Sequence, residues 1–267
     1  MILIDSHCHI DGEQFDADRD EVVQRARDAG VALLLNIGTG DPHSDSFRKA
    51  IAVAERYENV YCSIGVHPHD AKLYDDKAEN DLIDLVRSSK KVIAWGEIGL
   101  DFHYDHSPRD VQQEVFRRQI GVAKELNLPI IIHSREANDE TLEILTEECS
   151  YDEFRGGIMH CFGGTLPMLQ ELVTLGFMIS FAGNATFKNA DDLRELAETM
   201  QLNKMLIETD CPFLTPEPLR GKRNEPSFLI HTAERLAEHM YIEVEALATQ
   251  TTENFLQLFD LKLNALL

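Results

Sequence analysis

Short apolar runs alternate with amphipathic stretches about eight times along the 267 residues, a rhythm that few folds accommodate. The runs cover residues 3–7, 32–38, 60–66, 92–98, 129–133, 157–161, 178–181 and 205–209. Most are aliphatic or β-branched with little polar alternation, the pattern of strands buried on both faces. Between them, stretches such as 18–29, 44–57, 111–126 and 191–200 space apolar residues three and four apart, with Glu, Lys or Arg filling the other face. Strand-then-helix alternation implies a parallel sheet. About eight such units in a chain of this length match a closed (β/α)8 barrel better than an open doubly wound sheet. Helical stretches 226–238 and 243–260 are expected to complete the outer ring. No linker rich in Gly, Ser or Pro divides the chain, and the long loop 212–226 falls inside the last unit. The expectation is an α/β fold, one TIM-type barrel domain over 1–267.

The chemistry gathers where the runs end. His7 and His9 close the first run two residues apart, and so share one face of a strand. His67 follows the third run, Glu97 ends the fourth, His133 the fifth and His160 the sixth, while Glu208 and Asp210 end the eighth. A lone HxH would equally suit two surface histidines; the other run ends decide the matter. In a barrel all of them meet at the rim where such folds place their active sites. Burying so many ionisable groups together is costly unless something neutralises them, and divalent cations do. His7, His9, His133, His160, Glu97 and Asp210 offer more donors than one tetrahedral ion takes. A two-metal centre is expected, with Glu97, on a central strand between the two histidine groups, as its bridge. Ions so bridged lie about 3.5–4 Å apart and hold a water or hydroxide that attacks an ester or phosphoryl group. The reaction class is hydrolysis.

Composition narrows the substrate. Against 25 basic residues stand 47 acidic ones, a formal charge of −22, which argues against broad electrostatic capture of duplex nucleic acid. A polyanion held at one local, metal-neutralised pocket is still compatible with it. The five cysteines (Cys8, Cys62, Cys149, Cys161 and Cys211) show no CxxC pairing, so a disulfide framework is not expected. Cys8, Cys161 and Cys211 each adjoin a proposed ligand and are read as small packing residues behind the site. No apolar run is long enough to cross a bilayer, and the N-terminus lacks the marks of a signal peptide. The expected location is cytoplasmic, with no membrane association and no obligate protein partner.

The segments IDSHCHI, GVHPH, GEIGLDFHYD, HSREA, MHCFGG, IETDCPFL and RNEP resemble, in this order, those of the TatD-type metal-dependent deoxyribonucleases within the wider amidohydrolase group. The resemblance runs from His7 to Asn254 and implies a TIM-type barrel, a divalent metal centre and hydrolysis of DNA phosphodiester bonds. It implies that His7, His9 and Asp210 bind one metal, that His133 and His160 bind the second, and that Glu97 bridges. His67 then falls near the scissile phosphate or leaving group rather than among the ligands. His69, behind Pro68, is expected to support a neighbour or to lie at the surface. Asp210 doubles as general base. Glu208, two residues before it and on the same strand face, would orient a ligand or assist proton transfer. The related phosphotriesterase branch uses a modified lysine where Glu97 stands here. Imidazole-rich sites suit Zn or Mn, while the family's nucleases are described as Mg-supported.

Arg135 and Arg223 are candidate phosphate clamps, because guanidinium forks match phosphate oxygens; a salt bridge to one of the many acids is the competing fate of each. Asp101 and His103 are placed to hydrogen-bond the ligands. Phe102, Tyr104, Phe162 and Phe213 are placed to stack bases, though core or loop packing is the more common fate of a phenylalanine, and His43, His106, His231 and His239 are read as surface residues. The acidic exterior favours single-stranded or frayed DNA, and the family resemblance implies a 3′-to-5′ exonuclease. Hydrolysis of another ester or amide, such as a lactone, a cyclic amide or an aminoacyl-tRNA ester, is the alternative. A non-catalytic metal scaffold would be marked by a missing ligand, and none is missing.

Overall fold

The computed structural model describes residues 1–150 and 154–262. Eight strands, β1 (Leu3–Cys8), β2 (Val31–Gly38), β3 (Val60–Ile64), β4 (Val92–Asp101), β5 (Ile130–Arg135), β6 (Gly157–Met159), β7 (Phe177–Phe181) and β8 (Met205–Ile207), pair in sequence order. Every pairing is parallel. Between successive strands run α1 (Arg19–Asp28), α2 (Ser46–Arg56), α3 (Asp76–Ser88), α4 (Arg109–Glu125), α5 (Asn138–Cys149), α6 (Leu166–Thr174) and α7 (Asp191–Thr199), followed by α8 (Leu229–His239) and α9 (Val244–Leu258). This is the expected TIM-type barrel.

The barrel closes just beyond the ends of β1 and β8. Asp210 N–H donates to the His7 carbonyl at 2.9 Å, and His9 N–H donates to the Cys211 carbonyl at 2.9 Å. Buried Asp5 fastens this seam by accepting from Thr209 N–H at 2.9 Å and Thr209 Oγ1 at 2.6 Å. The seam therefore sets His7, His9 and Asp210 side by side.

Alternate strand residues serve two cores, as the pleat requires. Leu3, Leu34, Val60, Cys62 and Ile64 pack outward against the helices. Ile4, Leu33, Leu35, Ile37, Ala94, Ile131, Ile158, Met178 and Leu206 fill the barrel interior. Phe255 and Leu258 of α9, with Phe259 just after it, join that inner core, so α9 covers the end where the strands begin rather than completing the outer ring as expected. Asn254 Nδ2 ties it there, donating to the carbonyls of Leu202 and Met205 at 2.8 Å each. Only a helix with large apolar residues on its inner stripe can plug a barrel this way, each full burial contributing about 1.5–3 kcal/mol.

Several strand boundaries differ from expectation. β4 continues to Asp101, while β6 stops at Met159 and β8 at Ile207, each two residues early. Cys161 (φ 42°) and Asp210 (φ 53°) take the left-handed conformation, which no strand can continue through. Among the described residues no helix is long and apolar enough to cross a membrane.

Candidate metal centre and its cleft

Two strands carry an extra residue beside the site. In β1, Asp5 pairs with Leu34 but Cys8 with Asn36; in β4, Trp95 pairs with Ile130 but Ile98 with Ile132. Bulges of this kind re-aim side chains, and here they turn His7 and Glu97 toward the rim. Gly99 lets β4 lie close to β5: its φ is +141°, and a Cβ there would sit 2.0 Å from the His133 carbonyl oxygen. Only glycine serves.

The strand ends converge on Glu97, which is 3% exposed and would be intolerable there without positive neighbours. Its Oε2 lies 3.6 Å from His7 Nε2. Its Oε1 lies 2.9 Å from His133 Nδ1, 2.9 Å from His160 Nε2 and 3.6 Å from His67 Nε2. Asp210 Oδ1 stands 3.8 Å from His7 Nε2 and 3.4 Å from His9 Nε2. His7 and His160 stack with ring centroids 3.9 Å apart. Three overlapping groups of donors could each hold an ion: His7, His160 and Asp210; His7, His9 and Glu97; His67, Glu97 and His133.

Among the described residues no lysine or arginine pairs with Glu97 or Asp210; imidazoles are their only counter-charges. Burial opposes charge on every one of these rings. At His7 and His67 burial prevails, holding His7 well below its ordinary value and His67 at about 4. At His9 burial is the largest single influence, but the bond to Asp210 and the charges of Asp210, Glu97 and Asp11 together exceed it and raise the ring to about 9. At His160 burial is likewise outweighed, chiefly by Glu97, and His133 is lifted by its bonds to Asp101 and Glu97. Against its own desolvation, His160 and His67 drive Glu97 well below the carboxylate range. The cluster thus demands positive charge that its burial resists placing on protons. A nitrogen-rich donor set with two carboxylates fits divalent cations.

Outer partners fix which ring nitrogens face the cluster. His9 Nδ1–H donates to the Ile37 carbonyl at 3.0 Å, leaving Nε2 inward. His160 Nδ1–H donates to Glu208 Oε1 at 3.2 Å, and the same oxygen accepts from Cys161 N–H at 2.8 Å. His133 Nε2–H donates to Asp101 Oδ2 at 3.1 Å. His67 Nδ1 accepts from His69 N–H at 3.2 Å, which puts the proton on Nε2.

The cluster floors an open cleft of about 960 Å3 lined by His9, His67, Glu97, His133, His160 and Asp210. Arg135, Tyr104 and Phe213 stand on its walls. Several expected positions are corrected. Glu208 is fully buried behind His160 and does not line the cleft; left-handed Asp210 breaks the alternation that would have set the two acids on one face. Arg223 is outside the cleft, its guanidinium bonded to Asp18 at 2.8 and 2.7 Å and to the Gln14 carbonyl at 2.6 Å. Phe102 and Phe162 are buried, which leaves Tyr104 and Phe213 as the exposed aromatics of the four. His106 lines the cleft, stacked on Tyr104 with planes 6° apart. Cys161 also lines it, whereas Cys8 and Cys211 are buried. His69 bonds Asp101 at 3.0 Å, and His103 pairs with Glu136 at 2.7 Å.

Sequence reasoning missed Gln112 and Gln119, buried polar residues one heptad apart on the apolar stripe of α4. Gln112 accepts from Asp101 N–H at 2.8 Å and donates to its carbonyl at 3.1 Å. Gln119 holds the backbone of Val66, just before His67, through bonds of 2.8 and 2.9 Å. A glutamine in place of an apolar stripe residue is the signal that would have found them.

Barrel and site together define a metal-dependent hydrolase. The family described as TatD related DNase matches residues 4–260. An uncharacterized metal-dependent hydrolase of Bacillus subtilis is 45% identical over 260 residues, 97% of this chain and 99% of that one. A protein of Shigella flexneri described as the 3′-5′ ssDNA/RNA exonuclease TatD is 36% identical over 262 residues, 96% of this chain and 98% of that one. Among solved structures, a TatD homologue from Escherichia coli K12 superposes with a TM-score of 0.90 at 30% identity, covering 97% and 98% of the two chains. The chain belongs to the TatD-related DNase family.

Proposed function

We propose that this hydrolase is a two-cation phosphodiesterase acting on DNA, removing nucleotides 3′ to 5′ from single strands or frayed ends. The observation that carries the reading is the division of Glu97, whose Oε2 faces His7 while Oε1 faces His133, His160 and His67. One carboxylate serving two nests of imidazoles is what a bridging ligand does. In this reading His7, His9 and Asp210 would hold one cation, His133 and His160 would hold the other, and Glu97 would be shared between them. Divalent cations held there, whether Zn, Mn or Mg, supply Lewis acidity toward a phosphoryl oxygen and a nucleophilic water at neutral pH.

The chain's own residues do the rest. Asp210 lines the cleft beside His9 and accepts the proton that the attacking water gives up. His67, with its proton on Nε2, acts as a donor to the scissile phosphate or leaving oxygen rather than as a ligand. Asp101 and Glu208 orient His133 and His160. Arg135 stands on the cleft wall as the phosphate clamp. The charge of −22 favours a thin, flexible single strand over intact duplex, which needs a broad positive face, and a relative described as an ssDNA/RNA exonuclease supports the same substrate.

The test is cleavage of end-labelled single-stranded DNA with Mg2+, Mn2+ or Zn2+, with EDTA, and by Glu97→Ala. The expected result is a metal-dependent ladder shortening from the 3′ end, abolished by EDTA and reduced at least about a thousandfold in the variant, the scale on which a lost electrostatic stabiliser acts. Absence of cleavage with every metal, while two ions bind each chain, would transfer the site to another ester or amide.

A further inference from the structure

Arg135 is conspicuous for what it does not touch. Among the described residues no carboxylate pairs with it, in a chain with 47 acidic residues. Its rival Arg223 is paired with Asp18, and Arg109, the first residue of α4, with Asp105. The adjacent acid Glu136 is diverted: its backbone is left-handed at φ 52°, and its carboxylate takes His103 Nδ1–H at 2.7 Å.

What holds the guanidinium is a ring. Its central carbon lies 4.8 Å from the centroid of Tyr104. Tyr104 in turn stacks with His106 and meets His69 edge-on at 5.4 Å and 88°. His69 bonds Asp101, which also takes His133 Nε2–H. A chain of contacts therefore ties the guanidinium to a residue of the cation cluster. Stacking engages only the π face of an arginine and leaves its in-plane N–H fork free for an oxyanion. Arg135 ends β5 two residues past His133, so its Cα lies about 6.6 Å further along the strand than the cluster's own histidine. That is comparable with the reach from one phosphate to the next along an extended strand.

We infer that Arg135 grips the phosphate neighbouring the scissile one, and that Tyr104 is the positioning residue that presents its fork. The inference rests on the phosphodiesterase reading and narrows its substrate. The preferred molecule carries at least two phosphates in a row, as an oligonucleotide does and a single diester does not.

The experiment compares a tetrathymidylate with bis(p-nitrophenyl) phosphate, which has no second phosphate. Wild type, Arg135→Gln, Tyr104→Ala and Tyr104→Phe are each assayed on both. Anisotropy of the labelled tetranucleotide in EDTA reports binding without turnover. Arg135→Gln is expected to lose at least about tenfold more kcat/KM on the tetranucleotide than on the single diester, mostly through KM, and to weaken anisotropy binding by a similar factor. Tyr104→Ala should show a smaller loss of the same selectivity, restored in Tyr104→Phe. Equal losses on both substrates, or unchanged anisotropy binding in Arg135→Gln, overturn the clamp. Wild-type turnover of the single diester with none of the tetranucleotide overturns the nuclease reading and the clamp with it.

Discussion

His133 is oriented toward the cluster by a residue outside it. Its Nε2–H is taken by Asp101 Oδ2 at 3.1 Å, so the Nδ1 lone pair faces Glu97 and whatever cation lies beside it. Asp101 can serve because, against its own desolvation, bonds from His133, Tyr104 N–H and His69 hold its carboxylate well below the usual range. Asp101→Asn keeps the shape and removes the charge. Its expected effect is a roughly 10–100-fold loss of affinity for one of two cations, the cost typical of a lost outer partner. Isothermal titration with Mn2+ or Zn2+ checks this, and two unchanged affinities would remove Asp101 from the site's design. The converging residues were legible because each sits where an apolar run stops: His7, His9, Glu97, His133, His160 and Asp210 all occupy such stops. Arg135 and Arg223 looked alike in sequence, since which arginine meets an acid depends on contacts across about 200 residues rather than on neighbours. His106 is exposed as expected, but its place on the cleft wall was not legible for the same reason, its partner rings arriving from the folded loop.

At the level of elements, α1 and the loop after β8 are clasped by a four-residue network. Arg25 binds Glu225 at 2.8 and 2.6 Å, and Arg223 binds Asp18 at 2.8 and 2.7 Å. The Arg223 bond is the largest cause holding Asp18 at about 2. Glu225 is also depressed: against its desolvation, the bonds from Arg25 and Ser227 and the charges of Arg25 and Arg223 together prevail. A carboxylate depressed in the folded state stabilises above its unfolded value, about 4, and that stability is lost as pH falls toward the folded one. Urea unfolding across about pH 5 to 2.5 should therefore show a steeper acid loss for wild type than for Asp18→Asn. Equal slopes would make this an ion pair without energetic weight, as many exposed ones are. The strands themselves were legible from their apolar runs, because strands covered on both faces have no polar alternation to confuse the reading. Their ends were not. Cys161 and Asp210 adopt left-handed backbones without being glycine, and no local residue choice announces it. The rule that residues two apart share a face then fails at Glu208, which points behind His160 instead of into the cleft.

For the molecule as a whole, α9 seals one end of the barrel and leaves the other open above the histidine–carboxylate cluster. That mouth opens into a protein whose formal charge is −22. A basic nuclease draws its substrate in over many phosphate contacts, and its affinity falls with salt by about 0.7 log units per contact per decade for single strands. Among the described residues Arg135 is the one arginine on the cleft wall without a carboxylate partner, while the surrounding field repels the strand at long range and salt screens that repulsion. The two effects oppose each other. Measured at fixed free Mg2+, the log–log slope of kcat/KM against KCl for single-stranded DNA should be no steeper than about −0.7, the value for one contact. A slope of about −1.4 or steeper would require a second basic contact along the strand, and the site would then be a track rather than a pocket. A shallow slope means that the cations and one arginine do the recognising, which confines the enzyme to ends and loose strands that can be threaded into the mouth.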